Sequence, residues 1–565
     1  MKCQLWWQLA LTLGATGADL DTRGSFLKPW QPNRHRVAST PERRQITPLP
    51  SAAADRQLPA VEQPPAPVTA APIPTYTRPL GSWERLLTKT QRNERDAPLS
   101  IAHFSVAELT GTSSLTRDDV RRALEGVVLR HPLLRVQIGD LPVGDECCPR
   151  PQSVEWPWFY PLDASADELV DRAVVWVDVE ARNSAELRNE WRTLVEGTID
   201  GVTFPRDAPL WLLHVVHSPS AGRSALVWLF NHAISDQISA HIVLEDLLDD
   251  IQPHSSKHHA DNPAPLSVSF PPSVEALLFG NTSIEEPFVD YVRRVFSWQT
   301  VKHLVRATAT IVCPVMLVLD RRRGEGLTPS QRHTQLCLRT LGRPLMEKLK
   351  HRSRREGTTV TAALIAAALM ACQDVSGMSN PLVRFLLSTD LRRFAVNSPL
   401  PRPCTLSSLG GSVEFNLRVP PALAGSHEAF WRFAKGCREE FRSVIDVSGR
   451  EGPLLFDVGM RVAEIEDVVE KAAASEQTHG RAYTCGLSNA GVWPGRTQYG
   501  PISLDGVYYG VTNSQNGCLF QLSCVTVGGR LCVCLQTSAP LIERGEAERF
   551  LDVMDRELCR AVDTV

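Results

Sequence analysis

Two short apolar runs, Leu210–Val216 and Ala225–Phe230, separated by Pro219, Ser220 and Gly222, constrain the fold more than any other stretch of this chain. Both are hydrophobic on two faces, so they read as neighbouring buried strands. Ser100–Leu109 reads as a further strand. Thr116 then caps a helix with acidic residues in its first turn. Val120, Ala123, Leu124, Val127 and Val128 keep the i, i+3, i+4 rhythm of one buried helical face until Pro132 ends it.

The second half repeats the style. A helix is expected over Arg343–Arg355 and another from Thr359, with Val360, Ala363, Leu364 and Ala367 on one face, followed by a strand at Leu382–Leu387. Leu519–Val527 and Leu531–Leu535 flank Gly528-Gly529, a hairpin signature, and a last amphipathic helix carries Ala547, Phe550, Leu551, Met554 and Leu558. Strands and helices mixed in both halves imply an α/β (α+β) chain of two subdomains, joined through the loop-rich stretch from Gln252 to His333. The 565 residues leave room for two large domains or about three ordinary ones.

Composition narrows the partners. The chain is 43% hydrophobic and 22% charged with a net charge of -3, the balance of a soluble globular protein and no whole-chain case for binding nucleic acid or an anionic membrane. Fourteen cysteines show no Cys-x-x-Cys and no Cys/His cluster at zinc spacing, so no metal is implied and free thiols are expected. Cys532 and Cys534 alternate along an apparent strand, where both serve as small buried hydrophobes.

Met1–Ala18 resembles a short secretory or transit-type segment, and the localisation is otherwise cytoplasmic. From Pro29 to Pro79 there are twelve prolines and no glycine, which makes residues 19–75 a stiff extended linker outside the fold. The uncharged run Ala307–Leu319 is 13 residues long and contains Pro314, too short to span a bilayer. It reads as a connector packed between subdomains. The alternative is a peripheral membrane contact helped by Arg293, Arg294, Lys302, His303 and Arg306.

Chemistry concentrates where the second apolar run ends. There Asn231-His232-Ala233-Ile234-Ser235-Asp236 meets the start of a helical pattern, the strand-to-helix corner at which an open α/β sheet presents reactive groups. Of fifteen histidines, only His232 has an aspartate four residues on, a spacing that about one pair in such a chain shows by chance, so its surroundings must carry the reading. Those surroundings are Leu80-Gly81-Ser82-Trp83-Glu84, Leu124 with Arg130-His131-Pro132-Leu133-Leu134-Arg135, Asp207-Ala208-Pro209-Leu210-Trp211, Phe270-Pro271-Pro272-Ser273-Val274-Glu275, Gly357 to Leu364, Asp390-Leu391-Arg392, and Leu487-Ser488-Asn489-Ala490-Gly491. Together, and in this order, they resemble the alcohol acetyltransferase family of the HxxxD acyltransferase superfamily, related to condensation domains and chloramphenicol acetyltransferase.

The resemblance implies two chloramphenicol acetyltransferase-like subdomains, residues 76–275 and 333–565, with 276–332 as connector and an active-site tunnel at their interface. It makes His232 the general base, and it turns Asp236 away from substrate to pair with an arginine of the second subdomain, Arg392 before Arg393. Asn231, Gln237, Ser488 and Asn489 would line the tunnel or face the oxyanion. Gln237 stands where many members have glycine, and Asn231 where they have a first histidine; the glutamine is expected to narrow the tunnel or hydrogen-bond the acceptor. His131 is expected to be structural, and His258 and His259 to be solvated loop residues.

The implied activity is transfer of an acyl group, acetyl foremost, from acyl-CoA as cosubstrate to an alcohol or amine acceptor on a small lipophilic or secondary metabolite, by a monomer. Two other readings stand beside it: a free-standing condensation-type enzyme that draws on a carrier-protein thioester to form an amide, and a non-catalytic binding protein that keeps the tunnel.

Overall fold

The computed structural model describes residues 77–88, 101–139, 157–205, 207–251, 270–280, 298, 300–303, 326–395, 406–421, 426–460, 473–475 and 478–563. The N-terminal segment, the proline-rich linker, the run Ala307–Leu319, and His258 and His259 lie outside the described residues.

The strands are β1 (Arg78–Pro79), β2 (Ala102–Thr110), β3 (Val136–Gly139), β4 (Trp158–Pro161), β5 (Val174–Asp178), β6 (Trp211–Ser218), β7 (Arg223–Asn231), β8 (His333–Leu341), β9 (Leu382–Asp390), β10 (Gly410–Arg418), β11 (Arg481–Val492), β12 (Gln498–Tyr499), β13 (Ile502–Val511), β14 (Gly517–Val527) and β15 (Arg530–Ala539). The helices are α1 (Ser82–Thr88), α2 (Arg117–Arg130), α3 (Ala166–Ala173), α4 (Ser184–Thr198), α5 (Gln237–Asp250), α6 (Val274–Phe279), α7 (Arg343–Arg355), α8 (Val360–Ser376), α9 (His427–Ser448), α10 (Glu451–Met460) and α11 (Arg544–Val562).

The expected apolar runs form β6 and β7, an antiparallel pair in which Trp211 lies opposite Phe230. They sit inside a six-stranded sheet ordered β12-β13-β2-β7-β6-β5, and a second six-stranded sheet runs β10-β9-β11-β14-β15-β8. A small sheet of β1, β4 and β3 completes the set. The expected hairpin joins β14 to β15 through Gly528 and Gly529, whose φ values of +54° and +81° suit a two-residue turn that side chains disfavour.

The two halves of the chain do not keep to separate sheets. β12 and β13 come from the second half yet extend the first sheet, with β13 antiparallel to β2 over Ser503–Val511. Val507, Tyr508 and Tyr509 are buried there, so the edge of β2 is covered by chain that follows it by some four hundred residues.

Local chemistry fixes the helices around this frame. Thr116 and Asp119 make a reciprocal capping box at the start of α2. α8 is capped by Thr359, ends on the left-handed Gly377, and is apolar all round because it runs through the core of the second half. Among the described residues no single helix is long and apolar enough to cross a membrane. Cys532 and Cys534 are both buried as free thiols, as the strand alternation implies, and burial pushes the Cys532 thiol up to about 11.

Candidate active site

β7 ends in a tight turn because Asn231 holds it: its backbone N–H donates to Leu210 O and its side-chain Oδ1 accepts from Ala233 N at 3.0 Å. Asn231 is thus committed to the corner. The next residue, His232, is only partly buried, whereas Ala233 through Gln237 are buried. Its Nδ1 lies 2.7 Å from the carbonyl oxygen of Ser235. A carbonyl can only accept, so Nδ1 carries the proton and the neutral ring keeps its lone pair on Nε2. Burial lowers the imidazole below its ordinary range, against the opposing pull of the Ser235 carbonyl and the Asp236 charge, so the ring is a neutral base at neutral pH.

Asp236 caps α5, accepting from Ser239 N at 2.9 Å. Its two oxygens also take Arg392 Nη1 at 2.8 Å and Nη2 at 3.1 Å, and Leu409 N at 2.8 Å. Burial alone would raise this carboxyl, but the guanidinium and the backbone donors outweigh it and hold the group below the usual carboxylate range. Arg392 reaches onward to Asp390, Ser239 and Ser407, so the start of α5 is tied to the turn after β9 and to the segment 407–409. The fork geometry is what a planar guanidinium supplies and a lysine cannot.

Gln237 is buried. Its Oε1 lies 3.0 Å from His103 Nε2, and its amide nitrogen donates to Ser105 Oγ at 3.2 Å. Both ends of the Gln237 amide are thus engaged by β2. Across the site, Tyr509 donates its hydroxyl to Ser488 O at 2.7 Å and reaches Ser488 Oγ at 3.1 Å, while its ring stands edge-on to His103 at 6.5 Å. Asn489 is turned to α8: its Nδ2 donates to Thr361 at 3.1 Å and its Oδ1 accepts from Gly491 N. Of the two residues on β11, Ser488 shares its hydroxyl with Tyr509, and Asn489 is engaged by α8 and Gly491.

The corner thus brings His232, Asp236, Arg392 and Gln237 together, with Asn231 as its scaffold and Ser488 linked through Tyr509. Two histidines that motif spacing does not reveal also belong here. His103 stacks on His232, with ring centroids 5.4 Å apart and planes 28° from parallel. His241, one turn beyond Gln237, meets Trp493 edge-on, and its Nε2 makes no hydrogen bond among the described residues. Burial brings these two imidazoles down to about 3 and about 4. Strand alternation places His103 and Ser105 on one face of β2, and i+4 spacing places His241 under Gln237; those were the available signals. His131 is structural as expected, its two nitrogens engaged by Asp246 and by Leu406 N. Among the described residues no group of three or more His, Cys, Asp or Glu is arranged to hold a metal. A cavity of about 370 Å³ between α4 and β8 involves Arg188, Arg192, Arg339 and Arg544, and none of the residues of this corner lines it.

Comparison with known proteins bears on the family and the fold. The family model for alcohol acetyltransferases matches residues 201–558. No curated protein sequence matches the chain. Among solved structures, the TRI3 trichothecene 15-O-acetyltransferase of Fusarium sporotrichioides superposes with a TM-score of 0.61 at 12% identity, over 86% of this chain and 96% of that one. Polyketide synthase associated protein 5 of Mycobacterium tuberculosis gives 0.53 at 13%, over 87% and 99%. The condensation domain of the monacolin K polyketide synthase MokA gives 0.53 at 12%, over 85% and 96%. At such identities these likenesses establish the fold, which is that of the condensation-domain and acetyltransferase group.

Proposed function

This chain belongs to the alcohol acetyltransferase family and is an acyltransferase, and from that premise we propose that it moves an acetyl group from acetyl-CoA to an alcohol of a small lipophilic metabolite, with His232 as general base. The observation that carries the proposal is the hydrogen bond from His232 Nδ1 to the Ser235 carbonyl, which leaves Nε2 as the basic atom of a ring that is partly exposed.

In the proposed reaction Nε2 takes the proton of the acceptor hydroxyl as its oxygen attacks the thioester carbonyl carbon. The carbonyl π pair moves onto oxygen, towards which Ser488 is the proposed hydrogen-bond donor. Collapse of the tetrahedral adduct expels the thiolate, and the imidazolium returns the proton to sulfur, so ester and free thiol leave with the base regenerated. A thioester is already activated, and the site's task is to supply a base and to position two substrates. Asp236 takes no proton in this scheme. Fixed by Arg392, it holds the first turn of α5 and with it the Ser235 carbonyl that aims the ring.

The test is thiol release from acetyl-CoA by the full chain across a panel of alcohols and amines. His232→Ala is expected to lower acceptor-dependent kcat by about 10²–10⁴-fold. An alanine variant that turns over at the parental rate would overturn the assignment of the base, and transfer from a loaded carrier protein but not from acetyl-CoA would overturn the donor.

A further inference from the structure

The reaction above leaves the imidazole behind His232 without a task. His103 lies directly opposite Phe230 in the β2/β7 ladder, so its ring is held between Phe230, at 5.9 Å and 19°, and His232, at 5.4 Å and 28°. Both of its nitrogens are engaged: Nε2 with Gln237 Oε1 at 3.0 Å and Nδ1 with Ser235 Oγ at 3.2 Å. Because the Gln237 amide nitrogen donates to Ser105, its oxygen faces His103 and accepts. His103 therefore carries its proton on Nε2, and its Nδ1 faces the Ser235 hydroxyl, which also lies 3.3 Å from the Asp236 carbonyl oxygen. With both nitrogens occupied it is no acid or base in the reaction, and what it presents to His232 is a neutral π face.

That face matters at one moment. His232 is neutral in the resting site and cationic once it has taken the acceptor's proton. A neutral ring stacked on a cation attracts it, whereas a second imidazolium would repel it. The titratable groups facing His103 are His232, Asp236 and His241 on the α5 side and Tyr509 from β13; of these Asp236 is neutralised by Arg392.

We propose that His103, locked in one neutral tautomer by Gln237 and Ser235, is the positioning residue of His232, holding the plane of its imidazole and supporting the imidazolium formed as the acceptor is deprotonated. The proposal rests on the reading of His232 as the base. It also gives Gln237 a purpose: the side chain that occupies the glycine position acts through His103 and not on the substrate.

The full chain and three variants, His103→Ala, His103→Phe and Gln237→Leu, test it, each first checked for cooperative thermal unfolding. His103→Ala is expected to lower kcat by about tenfold or more with both KM values within about threefold, because the support exists only once charge has developed. His103→Phe, which keeps a ring to stack, is expected to recover most of that loss. In a His232→Ala background, His103→Ala is expected to change the residual rate by less than about twofold. A loss confined to KM, no recovery with phenylalanine, or an equal loss in the His232→Ala background overturns the proposal. Imidazole ¹H–¹⁵N spectra give a readout that needs no turnover: His103 is expected to stay in the neutral Nε2–H form from pH 5 to 8, and Gln237→Leu to admit the other tautomer. A His103 that titrates in that range, or is indifferent to Gln237→Leu, overturns the clamp. If the spectra hold while no acyl transfer is found with any acceptor, the assigned reaction is what fails.

Discussion

Asp236 and Glu275 are both carboxylates buried where early and late parts of the chain meet, and the protein treats them in opposite ways. Asp236 receives a guanidinium fork and two backbone donors. Glu275, on α6, accepts from Trp83 N through Oε1 at 3.0 Å, and its Oε2 makes no hydrogen bond among the described residues. That second oxygen lies against Gly81, where any Cβ would stand 2.1 Å away, so the close approach of α1 to α6 requires glycine. Nearby, Ser82 donates to Asp457 of α10 at 2.5 Å. Burial first, and the Asp457 charge second, bring the Glu275 carboxyl up to about 7. The two sites share a support: Val274, Leu277 and Leu278 of α6 pack with Leu391, beside Arg392, and with Leu409, which donates to Asp236. One carboxylate is kept charged to orient a corner; its neighbour is kept close to neutral to let two helices touch.

The comparison breaks first at Arg392. Arg392→Ala leaves Asp236 buried without its countercharge and is expected to cost about 3–5 kcal/mol of stability, measured by urea unfolding at pH 7. A loss under about 1 kcal/mol would mean that the backbone donors alone satisfy Asp236.

Glu275→Gln gives the next largest effect, and pH sets its sign. The folded-state value of Glu275 lies above the ordinary one, so the stability it contributes is complete below about pH 4.5 and is lost as pH rises through about 7. The glutamine variant is therefore expected to gain on the parent between pH 5 and 8, by about 1–3 kcal/mol. Asp236 runs the other way: held below its ordinary range, it contributes at neutral pH, and that contribution is lost as pH falls below the usual carboxylate range. Unfolding series of the parent and the Glu275→Gln variant from about pH 2 to 8 check both limbs, Asp236 at the acid end and Glu275 between about pH 5 and 8; parallel curves would show that Glu275 is ionised as readily in the folded chain as in the unfolded one. The smallest effect is Ser82→Ala, expected to cost about 1 kcal/mol through the lost hydrogen bond to Asp457, read from the same unfolding curves.

What the sequence disclosed follows the same divide. The Asp236 corner was legible because its parts are local: two apolar runs, a turn, a histidine and an aspartate in one register, with Asp390-Leu391-Arg392 matching the family to supply the distant partner. Strand and helix periods likewise gave β6, β7, α2, α8 and the β14–β15 hairpin. The surroundings of Glu275 were not legible, although Gly81 and the Pro-Pro…Glu stretch both carry the family resemblance, since no period links residue 275 to residues 81–83 or 457. Alternation shows which way His103 faces but not that His232 and Gln237 stand on that side. Nor does the apolar character of Val507–Tyr509 say which sheet they enter: burial is written in the residues, pairing in the contacts they find.

The placement of β13 beside β2 has a consequence for synthesis. Ala102–Thr110 leaves the ribosome early, and the strand that covers its open edge is made only when Ser503–Val511 has been translated. Until then the nascent chain carries a buried-type strand with one flank bare, and a truncation at the apparent midpoint would release an incomplete sheet and not an independent half.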